Sequence, residues 1–381
     1  MSSKRLLALL AATAWIMAPQ VAFADITIGV NLALTGPNSS LGIPYRKGLE
    51  ALPVEIGGEK VKLIVLDDAS DPSAAVRNAR KLIDEEKVDF IIGPSNTPAG
   101  VGLGNVTFEA KVPTVALAPV DLGPQKSDWL FTVPQPERIW LRPVLEDMKK
   151  RNVKTVAFIG FSDPWGDLCF NGLKALAPEF GIDIVAEERY ARTDTSVTGQ
   201  TLKLLSSKPD AVFVGASGTP GALPHLALHQ RNYTGPTYAT PGVFNRDFAR
   251  LGGGAIEGVM AVTGPVGAWD QLPDANPIKK VAGEFVKWYE GVNGAGTSNG
   301  FAAFAYDSTL LVKAAAERAL KKAKPGTPEY RTAFRDEMRA TKELVGTSGV
   351  YNFKEGSPYG VDERSVILVN VQNGVWRLGG K

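Results

Sequence analysis

Three segments in the first half of the chain end strand-like runs with residue types that hold anions. They are Leu34-Thr-Gly-Pro-Asn-Ser-Ser-Leu-Gly42, Gly93-Pro-Ser-Asn-Thr-Pro-Ala99 and Leu117-Ala-Pro-Val-Asp121. In the second, Gly93 and Pro94 break the strand, and Ser95, Asn96 and Thr97 are helix-capping types. Free N–H groups and hydroxyls at a helix start suit a carboxylate, because the dipole's positive end lies there. Any one such loop is equally well an ordinary N-cap; several converging loops are what make a site. The second half supplies Ser162-Asp-Pro-Trp165, Ala216-Ser-Gly-Thr219 and Thr240-Pro-Gly-Val-Phe244. Trp165 is of the type that closes over a ligand from the opposite side.

No catalytic constellation accompanies these loops. His225 and His229 share a helix face at i, i+4, but no carboxylate motif completes a metal site, so a surface or capping role is expected. Asp67, Asp68 and Asp71 read as strand-end and helix-capping residues. Neither a Gly-x-Ser-x-Gly elbow nor a P-loop occurs. The reading is of a binding protein with no catalytic residue, no metal and no cofactor.

Alternating strands and amphipathic helices must position the loops, which is the pattern of a parallel α/β sheet. Strands are predicted at Ile26 to Leu34, Val61 to Asp67, Val88 to Gly93 and Val112 to Leu117, with helices at Arg46 to Leu52 and Pro72 to Glu86. In the latter, Ala75, Ala79, Leu82 and Ile83 share one face. The same grammar restarts at Val153, with strands at Val156 to Gly160, Ile182 to Ala186, Asp210 to Gly215 and Thr237 onward. Gly93 precedes Pro113 by 20 positions and Gly215 precedes Pro236 by 21, which suggests two copies of one α/β half. Helices follow at Pro277 to Val292, Asn299 to Lys322 and Pro328 to Glu343. A strand pair around Asn373-Gly374 ends the chain. The late helices are expected to return to the first lobe, leaving the ligand between lobes at the carboxyl ends of the strands.

Lys4 and Arg5, the apolar run Leu6 to Met17 and Ala22-Phe23-Ala24 form an export signal, so 1–24 is expected to be a cleaved signal peptide. Without it, 40 basic residues balance 40 acidic ones, which argues against nucleic acid and against an anionic membrane surface. The single cysteine, Cys169, closes no internal disulfide. A buried, inert thiol is expected.

Taken together, these segments resemble the periplasmic branched-chain amino acid receptor family, the type I solute-binding proteins of ABC transporters. The exported start, Leu34-Thr-Gly-Pro-Asn-Ser-Ser-Leu-Gly42, Leu66-Asp-Asp-Ala-Ser-Asp-Pro72, Ile92-Gly-Pro-Ser-Asn-Thr97, Val112-Pro and Tyr306-Asp carry the resemblance. It implies an α/β, type I periplasmic binding protein fold: two doubly wound α/β lobes joined by three hinge crossovers. The lobes would be 25–133 with 265–347 and 134–264 with 348–381. The crossovers would lie near Thr132-Val-Pro134, Thr263-Gly-Pro265 and Gly346-Thr-Ser348. It also implies a monomeric periplasmic receptor that hands its ligand to an ABC transporter permease in the inner membrane. A sensory partner is the alternative.

The same resemblance implies a site of Leu41, Asn96, Thr97, Ala118, Val120, Trp165, Ser217, Pro241 and Gly242. Thr97 keeps the hydroxyl that the family uses on a ligand carboxylate, and Trp165 keeps an aromatic across the cleft. Val120 stands where the family has a second hydroxyl, and Ser217 where it has another aromatic. The acid that holds a ligand ammonium falls near Pro241-Gly242, where this chain has none. An unpaired buried ammonium is strongly disfavoured. The expected ligand is therefore a small organic acid with an apolar or aromatic body, in the manner of the subgroup that binds aromatic acids. An amino acid is the alternative.

Overall fold

The computed structural model describes residues 25–379. The proposed signal peptide, 1–24, lies outside the described residues.

Two sheets organise the chain. The first contains β1 (Ile26–Leu32), β2 (Glu55–Ile56), β3 (Glu59–Asp67), β4 (Phe90–Ile92), β5 (Thr114–Ala116) and β6 (Leu130–Thr132), in the order β2-β3-β1-β4-β5-β6. The second contains β7 (Thr155–Phe161), β8 (Asp183–Tyr190), β9 (Ala211–Gly215), β10 (Thr237–Ala239) and β11 (Met260–Thr263). Between β11 and the C-terminal hairpin in sequence lies a two-stranded ribbon, β12 (Leu344–Val345) with β13 (Val350–Tyr351). A C-terminal hairpin, β14 (Ile367–Gln372) and β15 (Val375–Leu378), completes the second sheet in the order β15-β14-β11-β10-β9-β7-β8. In each sheet the first strand pairs on both sides, β1 with β3 and β4, β7 with β8 and β9, all parallel. This shared plan is the internal repeat read from the sequence, and each sheet opens a ligand crevice where its strand order reverses.

The helices cover the sheets: α1 (Ser39–Gly48), α2 (Pro72–Asp84) and α3 (Thr97–Glu109) in the first half, α4 (Glu137–Lys150), α5 (Pro164–Leu176), α6 (Thr198–Ser206), α7 (Ala222–Gln230) and α8 (Arg246–Gly252) in the second. The late helices are α9 (Pro277–Asn293), α10 (Gly300–Ala319) and α11 (Pro328–Arg339). α2 shows how sequence selects this structure. Asp71 caps it by accepting from the Ala74 N–H at 2.7 Å, and Pro72 takes the first turn. Ala79, Leu82 and Ile83 then pack on Ile91 and Leu103 beneath the sheet.

α1 begins at Ser39 rather than at Arg46. Pro44 lies inside it and lacks only one backbone donor, a loss the packed helix tolerates. Gly42 explains the early start: a Cβ there would collide with the Ala33 carbonyl at the end of β1. Gly166 repeats the device in the second half, seated against the Phe161 carbonyl at the end of β7.

α10 and α11 return to the first core, where Phe301, Phe304, Leu311 and Phe334 pack with Ile28, Val30 and Phe90. The third crossover departs from expectation. Tyr351, Phe353 and Val361 belong to that same first core, and the Thr132 N–H donates to the Pro358 carbonyl at 2.7 Å. The chain therefore stays with the first lobe past Ser348 and crosses between Val361 and the start of β14. The glycine and hydroxyl residues at Gly346-Thr-Ser348 read as a hinge, but Asp307 fixes them by accepting from the Thr347 and Ser348 N–H groups at 2.6 and 3.1 Å.

Cys169 is fully buried in the second core, and burial raises its thiol well above the usual value. No helix among the described residues is long and apolar enough to cross a membrane.

Candidate functional site

The carboxyl ends of the strands in both lobes face one shared cavity. From the first lobe come Leu41 and Tyr45 on α1, Ser95, Asn96 and Thr97 at the start of α3, Ala118 and Pro119 after β5, and Phe301 and Phe304 on α10. From the second come Trp140 on α4, Trp165 on α5, Arg192 after β8, Ser217 after β9, and Pro241 and Gly242 after β10. Pro134 and Gln135, on the first crossover, form part of the wall.

Eight of the nine residues expected from the sequence thus border one space. Val120 does not. Its side chain is fully buried in a small core with Ala116 and Leu130, and only its carbonyl is engaged, by the Thr132 hydroxyl at 3.0 Å. The β5–β6 connection turns it inward, so the missing hydroxyl at this position is no loss to the cavity.

Asn96 caps α3 by accepting from the Ala99 N–H at 3.0 Å. Its other side-chain atom, Nδ2, is buried and has no partner. The Thr97 hydroxyl donates to the Pro119 carbonyl at 2.9 Å, so its proton is already committed. Ser95 has the opposite arrangement: its hydroxyl accepts from the Ala33 N–H at 3.0 Å and keeps its own proton for another acceptor. Ser95, within a loop singled out by its sequence, is thus better placed than Thr97 to donate to a carboxylate. The Tyr45 hydroxyl donates to the Leu117 carbonyl, and burial raises its pKa. Its ring meets Phe301 edge-on at 5.3 Å.

Across the cleft, Asp163 caps α5 by accepting from the Trp165 and Gly166 N–H groups at 2.9 and 3.2 Å. Trp165 therefore sits in the first turn of a helix rather than on a free loop. The second oxygen of Asp163 pairs with Arg192 Nε at 2.5 Å, with the Arg192 side chain 11% exposed. The guanidinium lies over Phe161, 4.1 Å from the ring centre. Its Nη1 donates to Ser217 at 3.1 Å and, across the lobes, to Asn38 at 3.0 Å. The Thr219 N–H donates to the Ser40 hydroxyl at 3.3 Å, also across the cleft. These contacts hold the lobes together over the cavity, the closed arrangement of a hinged trap.

Sequence reasoning left out of the site Tyr45, Pro134, Gln135, Trp140, Arg192, Phe301 and Phe304, together with Ser95 and Pro119, which lie in loops it did single out. The aromatic residues of α4 and α10 read as ordinary core positions. Arg192 carries no local motif, because the partners that place it lie on four other elements. Among the described residues, none that borders the cavity is Asp or Glu, and no cluster of His, Cys, Asp and Glu could hold a metal ion. His225 is buried rather than on the surface. It packs edge-on against Phe248 at 5.8 Å, and both ring nitrogens lack partners. His229 is exposed.

Two doubly wound lobes closing over a donor-rich aromatic cavity define a ligand-trapping receptor. The chain belongs to the periplasmic binding protein family, whose profile matches residues 25–374. It is 28% identical to Leu/Ile/Val-binding protein homolog 3 of Brucella melitensis over 83% of this chain and 85% of that one. An extracellular ligand-binding receptor from Rhodopseudomonas palustris HaA2 is 45% identical, covers 94% of this chain and all of its own, and superposes with a TM-score of 0.92. Two structures at 19% identity share the fold. One is an R. palustris solute-binding protein in complex with benzoate (TM-score 0.79, 94% of this chain and 96% of that one). The other is Streptococcus pneumoniae LivJ in complex with isoleucine (TM-score 0.78, 93% and 98%). The family and these relatives are binding receptors, not enzymes.

Proposed function

We propose that the protein is a periplasmic receptor that traps a small aromatic carboxylate between its lobes and delivers it to an ABC permease in the inner membrane, acting as a monomer. One observation carries the ligand class: the cavity wall joins unpartnered donors to aromatic faces and contains no carboxylate. The ligand carboxylate is placed at the start of α3, received by Ser95, Asn96 Nδ2 and the positive end of the helix dipole. The aromatic body lies between Tyr45, Phe301 and Phe304 on one side and Trp140 and Trp165 on the other. Leu41, Ala118, Ser217, Pro241 and Gly242 complete the enclosure.

An amino-acid ligand is the second reading, favoured by the Leu/Ile/Val-binding relatives. It would need the ammonium to be held by carbonyls and ring faces alone. Thermal shift of the purified protein against aromatic acids, aliphatic acids and branched amino acids separates the two, since a ligand in large excess raises the melting temperature. Shifts with aromatic acids support the proposal. Shifts with Leu or Val alone sink it.

A further inference from the structure

The rings of Trp140 and Trp165 both border the cavity, and neither indole N–H has an acceptor in the protein. Trp140 is 0% exposed and Trp165 is 5% exposed, so water outside the cavity does not serve them. The two rings stand together, with centres 6.2 Å apart, on the second-lobe wall. Packing explains where the rings are, since Trp140 also stacks on Phe213. It does not explain two orphaned donors on one wall. An indole N–H can only donate, and leaving such a donor dry costs more than an ordinary hydrogen bond contributes. The acceptor must therefore arrive with the ligand.

The third orphan donor, Asn96 Nδ2, belongs to the opposite lobe, where the carboxylate is placed. One group cannot serve both walls of a cavity that also holds an apolar body. We propose that the ligand carries a second acceptor oxygen, remote from its carboxylate, which Trp140 and Trp165 receive. The charge balance selects its chemistry. Arg192 is the cation on this wall, and Asp163 already neutralises it at 2.5 Å. A second carboxylate would find no free positive charge there, so the oxygen is neutral, a hydroxyl or ether on the ring. This inference rests on the carboxylate reading above and deepens it to ring-oxygenated aromatic acids.

Calorimetric titration of the wild-type protein with benzoate, 4-methylbenzoate, 4-hydroxybenzoate, 4-methoxybenzoate and terephthalate tests it. The hydroxy and methoxy acids should bind about tenfold more tightly than the methyl acid of similar size, as expected for one satisfied buried donor. Terephthalate should bind more weakly than either. In Trp140→Phe and Trp165→Phe the ratio of hydroxy-acid to methyl-acid affinity should shrink at least about threefold, whatever the change in absolute affinity from the smaller ring. Equal affinity for methyl and oxygenated acids overturns the inference and leaves the carboxylate reading standing. An unchanged preference for oxygen in both tryptophan variants also overturns it, because the indoles would then not be the groups that receive that oxygen. Failure of every aromatic acid, with binding of isoleucine, overturns both. The wild-type series decides the matter even if a variant does not fold.

Discussion

Arg192 connects four elements with one side chain. It pairs with the cap of α5, bonds Ser217 after β9, reaches Asn38 before α1 and covers Phe161 at the end of β7. Arg192→Leu leaves Asp163, which stands behind Arg192 and outside the cavity wall, without its cation, so an anionic ligand meets an uncompensated charge nearby. Affinity for an aromatic acid should fall at least about tenfold by calorimetry, since removing one partner of a largely buried pair is costly. Asp163→Asn should weaken binding less, because the cap acceptor and a free guanidinium both remain. None of this was legible locally: Asn38 lies 154 positions from Arg192, and only the fold brings them together. His225 shows the same limit. A surface or capping role is expected from its sequence, whereas burial pulls its pKa down to about 4 from about 6.5 in an unfolded chain. The native state thus holds it neutral where the unfolded chain takes a proton. Stability from this residue is complete above pH 6.5 and is lost as pH falls toward 4. Buried Asp68 and Asp307, both raised to about 6, act in the opposite sense, losing stability as pH rises from 4 to 6. The comparison with His225→Leu isolates the histidine. Chemical denaturation should show wild type losing roughly 2–3 kcal/mol relative to the variant between pH 7 and pH 4.

At the scale of elements, local chemistry was the most legible. Asp71-Pro72 before α2 and Asn96-Thr-Pro before α3 are read from sequence as caps, and both side chains accept N–H bonds of the first turn. Asn373-Gly374 marks the final hairpin because both residues take positive φ, 52° and 73°. Elements that depend on distant contacts were less legible. α1 starts seven residues before its predicted start because Gly42 can rest on β1, and the third crossover moves because Phe353 and Val361 bury against the first sheet. The cap of α3 gives a test that separates fold from function. Asn96→Asp keeps the cap acceptor and removes the Nδ2 donor, placing a negative charge beside the ligand carboxylate. Stability should change by less than about 1 kcal/mol, while affinity for aromatic acids should drop at least about tenfold. Equal affinity would move the carboxylate away from this helix.

The whole molecule is two α/β halves whose crossovers meet beside the cavity. Gln135, on the first crossover and in the cavity wall, donates to the Ser365 carbonyl at 2.6 Å and the Ser348 carbonyl at 3.4 Å. Gly264, on the second, is pressed against Ser348 so that a Cβ would come within 2.8 Å of that side chain. Asp307 anchors the junction through Thr347, Ser348 and the Tyr351 hydroxyl, which donates at 2.8 Å. Asp307→Ala strands those donors and should cost roughly 2–4 kcal/mol in denaturant unfolding. The two-lobed plan was readable because the α/β grammar repeats and restarts. The wall contributed by α10 was not, because an aromatic helix face carries no mark of which cavity it will border.

The central claim is that this cleft takes a carboxylate without an ammonium. Calorimetric titration with pairs that differ only in the α-ammonium tests it most directly: 3-phenylpropanoate against phenylalanine, and 3-methylpentanoate against isoleucine. The absence of a wall carboxylate predicts that the acid of each pair binds at least about a hundredfold more tightly, since a buried ammonium would lack a charged partner. Equal or tighter binding of phenylalanine or isoleucine would contradict the account.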